Sequence, residues 1–215
     1  MTWFLDHLDL FWTRTLQHAY LAGVPLVVGL LLALPLGWLA RRYRPLFVPL
    51  IAGFGLLYTI PSLALFVLMP AIIGTNILSP LNVIVGLTLY TLALLVRTVA
   101  DGLGAVPEAV KQSATAMGYT PVKRFFAVDL PLAVPVISAG LRVAAVSNVS
   151  IASIATVIGV PQLGLFFSDG FSRDFYDPLV VGIVGCVALA LVFDGVILLL
   201  TRAFTPWVRA TGSRA

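Results

Sequence analysis

The stretch QSATAMGYTPVKRFFAVDLP, Gln112 to Pro131, lies between apolar runs, and its reading decides the fold. Just before it, Pro107 suits the first position of a helix, and Glu108 beside it complements the positive helix N-terminus. Val110, Ala114 and Met117 then fall at i, i+4 and i+7, which makes one narrow apolar face. Gly118 ends that helix in the left-handed conformation. Thr120 caps a second helix with Pro121 at its first position. Val122, Phe125 and Phe126 give the second helix an apolar face, and Lys123 and Arg124 give it charge. Leu130 and Pro131 then stop it. The pattern predicts two short helices joined at a glycine. They are too small to fold alone and are shaped to dock in a groove on another protein.

The rest of the chain explains why such an element is needed. It has 215 residues, 60% hydrophobic and 10% charged, with a mean hydropathy of +1.05. Soluble domains carry roughly 25% charged residues, so the composition points to an integral membrane protein. Five stretches are long enough to cross a bilayer, which takes about 20 apolar residues: about 19–40, 46–69, 80–100, 133–158 and 178–201. The second holds Pro61 and ends near Pro70, so residues 46–75 read either as one span or as a span with a re-entrant piece, leaving room for a sixth. Residues 1–18 interleave Trp3, Phe4, Leu8, Phe11 and Trp12 with Asp6, His7 and Asp9. That suits a short helix lying at the membrane interface and lacks the marks of a secretory signal.

Lysine and arginine set the orientation. Arg41, Arg42, Arg44, Lys111, Lys123, Arg124, Arg202, Arg209 and Arg214 fall on one side of the five spans. The other side has Arg14 and Arg173 among aspartates. The basic side is cytoplasmic, so the N-terminus is outside, and the C-terminal tail (204–215) and the 107–131 segment are inside. The net charge of +4 follows this bias and implies no nucleic acid. Arg97, at the end of the third span, and Arg142, early in the fourth, are read as snorkelling to headgroups.

With the segment placed between spans on the basic side, it resembles the EAA motif of permease subunits of binding-protein-dependent ABC importers. The motif is E-A-A, three residues, G, nine residues, I-x-L-P. Here Gln112-Ser113-Ala114 precede Met117 and Gly118, and nine residues later come Val128, Leu130 and Pro131. The spacing matches, with Gln for Glu, Ser for Ala and Val for Ile. The lost glutamate removes a charge, for which Glu108 one turn earlier is a partial stand-in. Residues 58–75, 87–103 and 158–175 further resemble permeases for osmoprotectants such as glycine betaine, carnitine, choline and proline.

The resemblance covers roughly residues 17–203 and implies a type I ABC importer permease fold over 19–203. It implies a bacterial inner-membrane location and coupling residues Gln112, Ser113, Ala114, Met117, Gly118, Val128, Leu130 and Pro131. The implied partners are a cytoplasmic ATPase dimer, a second permease, identical or homologous, and an external solute-binding protein, all within membrane lipid. A related branch carries methionine.

The sequence has no GxxxxGK[ST] motif to cradle nucleotide phosphates. ATP and magnesium are therefore expected on the partner ATPase, with no cofactor on this chain and no covalent catalysis by it. His7 and His18, eleven residues apart, lack metal-pair spacing and read as interfacial. Cys186 reads as an inert thiol in an apolar run. Ser147, Asn148 and Ser150 give the fourth span a polar stripe that either lines a wet pathway or packs helices. Asp194 lies within the fifth span, where a carboxylate is costly unless it is paired or wet. It reads as a gating residue, as the partner of a nearby donor, or, in a rival scheme, as the proton site of a gradient-driven transporter.

Overall fold

The computed structural model describes residues 2–207, and among these the regular structure is entirely helical. A short α1 (Thr2–Asp6) precedes α2 (Leu8–Arg42). There follow α3 (Arg44–Thr59), α4 (Ser62–Ile73), α5 (Pro80–Ala105), α6 (Glu108–Ala116), α7 (Pro121–Arg124), α8 (Leu130–Ala152), α9 (Gly164–Ser172) and α10 (Tyr176–Phe204). Four uninterrupted helical stretches are long and apolar enough to cross a membrane: α2, α5, residues 121–158 and α10. Part of the expected tail, residues 208–215, lies outside the described residues.

α5 is the centre. It packs against α2, α3, α4 and α8, and α10 closes the other side of α8. The α2–α5 seam is made close by small residues. Gly29, Ala33, Gly37 and Ala40 recur at helical spacing on α2, all buried. A Cβ on Gly29 would lie 2.4 Å from Thr91 Cγ2, and one on Gly37 would lie 2.6 Å from Val99 Cγ1. Side-chain-free positions let the backbones approach where apolar surface gains nothing by leaving lipid.

The second expected span is broken. α3 and α4 meet at a 105° bend. Ile60 is extended (φ −68°, ψ 130°), as the residue before a proline prefers. Pro61 then supplies no N–H to carry the ladder on. The exposed carbonyls are met from nearby. Thr59 Oγ1 donates to Leu56 O at 2.7 Å, and the Tyr90 hydroxyl of α5 donates to Ile60 O. The Tyr58 ring rests edge-on against Tyr90, with centroids 5.5 Å apart.

Other boundaries also move. Residues 8–18 are the first turns of α2, so only Thr2–Asp6 forms a separate short helix. α5 runs to Ala105, and Arg97 pairs with Asp101 at 3.6 Å on its exposed face rather than ending the span. Leu130 and Pro131 do not stop a helix. α7 passes through a π turn, Phe125–Asp129, straight into α8. The Leu130 N–H bonds Phe125 O in that wider register, and Pro131 follows it without an N–H of its own to return the ladder to α spacing.

Candidate functional site: the 107–131 segment and the polar centres of the bundle

The segment after α5 is built from local signals. Pro107 is the N-cap of α6 and Glu108 its first residue. Gly118 has φ +83°. Around it the N–H of Tyr119 bonds Ala114 O at 3.1 Å and that of Gly118 bonds Thr115 O at 3.0 Å, a Schellman-type close that a left-handed glycine completes. No heavy atom would lie within 4 Å of a Cβ on Gly118, so the glycine is required by backbone conformation and not by crowding. Thr120 caps α7, accepting from the Lys123 N–H at 3.4 Å.

Side chains then divide the segment into an inner and an outer face. Ala114 is buried, on a helix that packs against α7 and the π turn. Gln112, Ser113, Thr115, Ala116 and Gly118 are exposed, and Met117 is 70% exposed. The predicted apolar stripe of Val110, Ala114 and Met117 is thus split, with only Ala114 covered and Val110 and Met117 exposed. Of the second apolar face, Phe125 is buried with its ring 6.1 Å from Trp38, while Val122 and Phe126 are exposed. Val128, Leu130 and Pro131 are half-buried at the entry to α8.

An unpredicted network ties the two parts together. Arg124 Nε donates to Asp129 Oδ2 at 3.3 Å and Arg124 Nη1 donates to Thr115 Oγ1 at 3.0 Å. The i, i+5 spacing of Arg124 and Asp129 faces neither residue toward the other on an α-helix. The π turn between them brings them together. Asp129 is 7% exposed, so α6 is anchored to the root of α8 through a largely covered carboxylate.

Within the bundle, Asn148 is 1% exposed. Nδ2 donates to Thr91 Oγ1 at 2.9 Å and to Ala22 O at 3.3 Å, while the Thr91 hydroxyl gives its one proton to Leu87 O at 2.8 Å. One amide thereby staples α8 to α5 and α2. Ser147 is half-buried and Ser150 exposed, away from that staple. His18 is fully buried rather than interfacial. Its Nε2 donates to Val149 O at 2.9 Å. A 3-10 turn, Ser153–Ile158, moves the Ser153 N–H to Ser150 and Ile151 carbonyls and leaves Val149 O to the histidine.

Asp194 is paired. Arg142 of α8 clamps it with two parallel bonds, Nε to Oδ1 at 2.6 Å and Nη2 to Oδ2 at 2.8 Å. This replaces the snorkelling reading of Arg142, since a bidentate carboxylate satisfies the guanidinium on the half-buried face between α8 and α10. Both residues sit within apolar helices, so neither marks its partner in the sequence.

The family model described as binding-protein-dependent transport system inner membrane component matches residues 25–209. The chain is 33% identical over 205 residues to the osmoprotectant import permease protein OsmW of Salmonella typhimurium, covering 94% of this chain and 95% of that one. It is 32% identical to the glycine betaine/carnitine/choline transport system permease protein OpuCD of Bacillus subtilis, over 92% of this chain and 87% of the relative. It is 29% identical to the choline transport system permease protein OpuBB of the same organism, over 90% and 88%. Among solved structures, an inward-facing form of the MetNI methionine ABC transporter superposes with a TM-score of 0.80 at 22% identity, covering 93% of this chain and 98% of that one.

Proposed function

The chain belongs to the family of binding-protein-dependent transport system inner membrane components, and from that premise we propose that it passes a small osmoprotectant inward across the cytoplasmic membrane. The observation that carries the solute is the similarity of about a third of positions, over nearly the whole chain, to permeases named for osmoprotectants, choline and glycine betaine. Glycine betaine, carnitine, choline and proline are the solutes to test.

In this reading the basic end faces the cytoplasm, with the N-terminus outside. An ATPase dimer supplies ATP and magnesium, and an external binding protein delivers the solute. Gln112, Ser113, Met117 and Gly118 form the exposed tip that enters the ATPase cleft. Ala114, Val128, Leu130 and Pro131 form the root that carries its displacement into α8. The Arg124–Asp129–Thr115 network makes tip and root move together. ATP binding draws the tips inward and tilts the spans to open outward, and hydrolysis resets them. A second permease, identical or homologous, completes the pathway; α3, with no buried residue, supports a second covering surface.

Ser147 and Ser150 remain the polar positions offered to a pathway, while Asn148 acts as the staple on which they are hung. The Arg142–Asp194 clamp supports a structural ion pair over a gradient-driven proton site. The test is uptake of labelled glycine betaine into proteoliposomes. They hold this chain with its ATPase and second permease, binding protein outside and ATP inside. ATP-dependent uptake competed by carnitine or choline is expected. ATPase stimulation only by a binding protein loaded with another solute, methionine among them, would discard the solute. Uptake driven by a proton gradient without ATP would discard the mechanism.

A further inference from the structure

Beside α6, at the basic end of the bundle, lies a cavity of about 360 Å³. Five cations line it: Arg41, Arg42, Arg44, Lys111 and Arg124. Only two carboxylates, Glu108 and Asp129, face them. Asp129 is taken by Arg124. Glu108 stands 3.9 Å from Lys111 and is itself 72% exposed, whereas the lysine side chain is 15% exposed. Among the described residues no ion pair involves Arg41, Arg42 or Arg44. The Arg41 guanidinium is nonetheless placed: a Cβ on Gly104 would lie 2.8 Å from its Cζ, so the group lies flat on the bare backbone of α5.

A second cavity, about 340 Å³ and apolar, shares the Trp38 wall with the first. Leu31, Leu34 and Pro35 of α2 line it on one side, and Val122 and Phe126 on the other. Residues 31, 34, 35, 38, 41 and 42 recur at helical spacing, so one face of α2 runs from the apolar groove into the basic cavity. A cationic chamber that continues into an apolar groove has the profile of a phospholipid. Basic pockets between spans are a known means of holding anionic headgroups.

We propose that this paired cavity binds one anionic phospholipid of the adjoining leaflet. Its phosphate lies among Arg41, Arg44 and Lys111, and one acyl chain lies along α2 against Val122 and Phe126. The lipid braces α2 to the segment between α6 and α8. A soluble phosphate satisfies the same cations but leaves the apolar groove unused, which is why the lipid is favoured.

The test reads binding directly and is independent of which solute is carried. The complete transporter is reconstituted in equal amounts of phosphatidylglycerol and phosphatidylcholine with identical chains. It is then extracted in mild detergent, and the lipid retained per permease is measured by mass spectrometry. The wild-type complex is expected to retain phosphatidylglycerol selectively. The double variant Arg41→Gln/Arg44→Gln should lose on the order of fivefold in selectivity for each guanidinium removed. Gly104→Ala, which displaces Arg41 without removing its charge, should lose less, and it serves as the test if the double variant fails to assemble. Equal retention of both lipids by the wild type, or unchanged selectivity in the variants, overturns the proposal. So does displacement of the lipid by millimolar inorganic phosphate, which makes the ligand soluble. Loss of the ATPase from the double-variant complex also overturns it, because the cavity would then belong to the ATPase interface.

Discussion

Gly37 and Gly118 are the same residue used for opposite reasons. Gly37 lies mid-helix on α2, where a side chain would meet Val99 at 2.6 Å. Gly118 stands in open space, at a φ of +83° that L side chains resist. The first position sets how closely two spans approach. The second sets where an exposed tip points. The α2–α5 seam therefore stores stability, and the α6 tip stores geometry, and damage to each should appear in a different measurement.

The largest effect separates them most sharply. Gly118→Val places a β-branched residue in the left-handed region, at a strain of about 1–3 kcal/mol that the exposed tip relieves by refolding its turn. ATP-dependent uptake should be abolished, while the thermal unfolding of the detergent-solubilised chain barely moves. Wild-type uptake by this variant would sink the coupling assignment. Next in size is Arg142→Leu, which leaves Asp194 unpaired between apolar helices. Its melting temperature should fall further than that of any seam variant. Arg142→Leu/Asp194→Leu should recover most of the loss, since removing both charges avoids the lone one. Equal losses in the single and double variants would mean that the clamp is not structural.

Gly37→Val attacks the seam itself. Overpacking of a closely fitted interior costs about 1–3 kcal/mol, so unfolding should occur at a lower temperature, with uptake per folded complex largely retained. If uptake instead vanished while stability held, the division between seam and tip would fail. Asn148→Leu should cost less, about 0.6–1.7 kcal/mol, the range of interhelical hydrogen bonds in membranes. Thr91 keeps its own bond to Leu87 O at 2.8 Å, which limits the damage. Unchanged stability on calorimetry would argue that the staple is dispensable.

The sequence was most legible where a rule is local. The cap at Thr120 and the left-handed Gly118 follow from residue type and spacing alone, and Pro107 marks the start of α6 one position before the first-turn place expected for it. The break at Pro61 was legible as a choice and not as an outcome, because 46–69 is apolar throughout and hydropathy does not register a 105° bend. What remained hidden depends on partners far along the chain. His18 meets Val149, Arg142 meets Asp194, and Asn148 meets Ala22 and Thr91. Nothing near any of these residues announces its partner. Arg124 and Asp129 were hidden for a nearer reason: their i, i+5 spacing pairs them only once a π turn is known to lie between them. In the candidate site, the motif marked the residues proposed for the tip, but which of them face outward depends on what packs against α6, and there only Ala114 is covered.

The smallest expected effect tests the one charged departure from the motif. Gln112 is exposed on α6, one turn beyond Glu108, which already stands 3.9 Å from Lys111. Gln112→Glu therefore adds a carboxylate to a surface where helix caps, burial and the Arg124 network are untouched. The stability of the chain should not change, since exposed single charges contribute little. Any effect must come from the partner. If the ATPase cleft offers a cation at this position, association measured by co-purification should strengthen slightly, with uptake unchanged or raised. If the cleft has adapted to glutamine, the variant should bind normally yet lose coupling between ATP hydrolysis and uptake. The second result would show that the tip is matched to its partner residue by residue, and that the motif's glutamate is not a general requirement for docking.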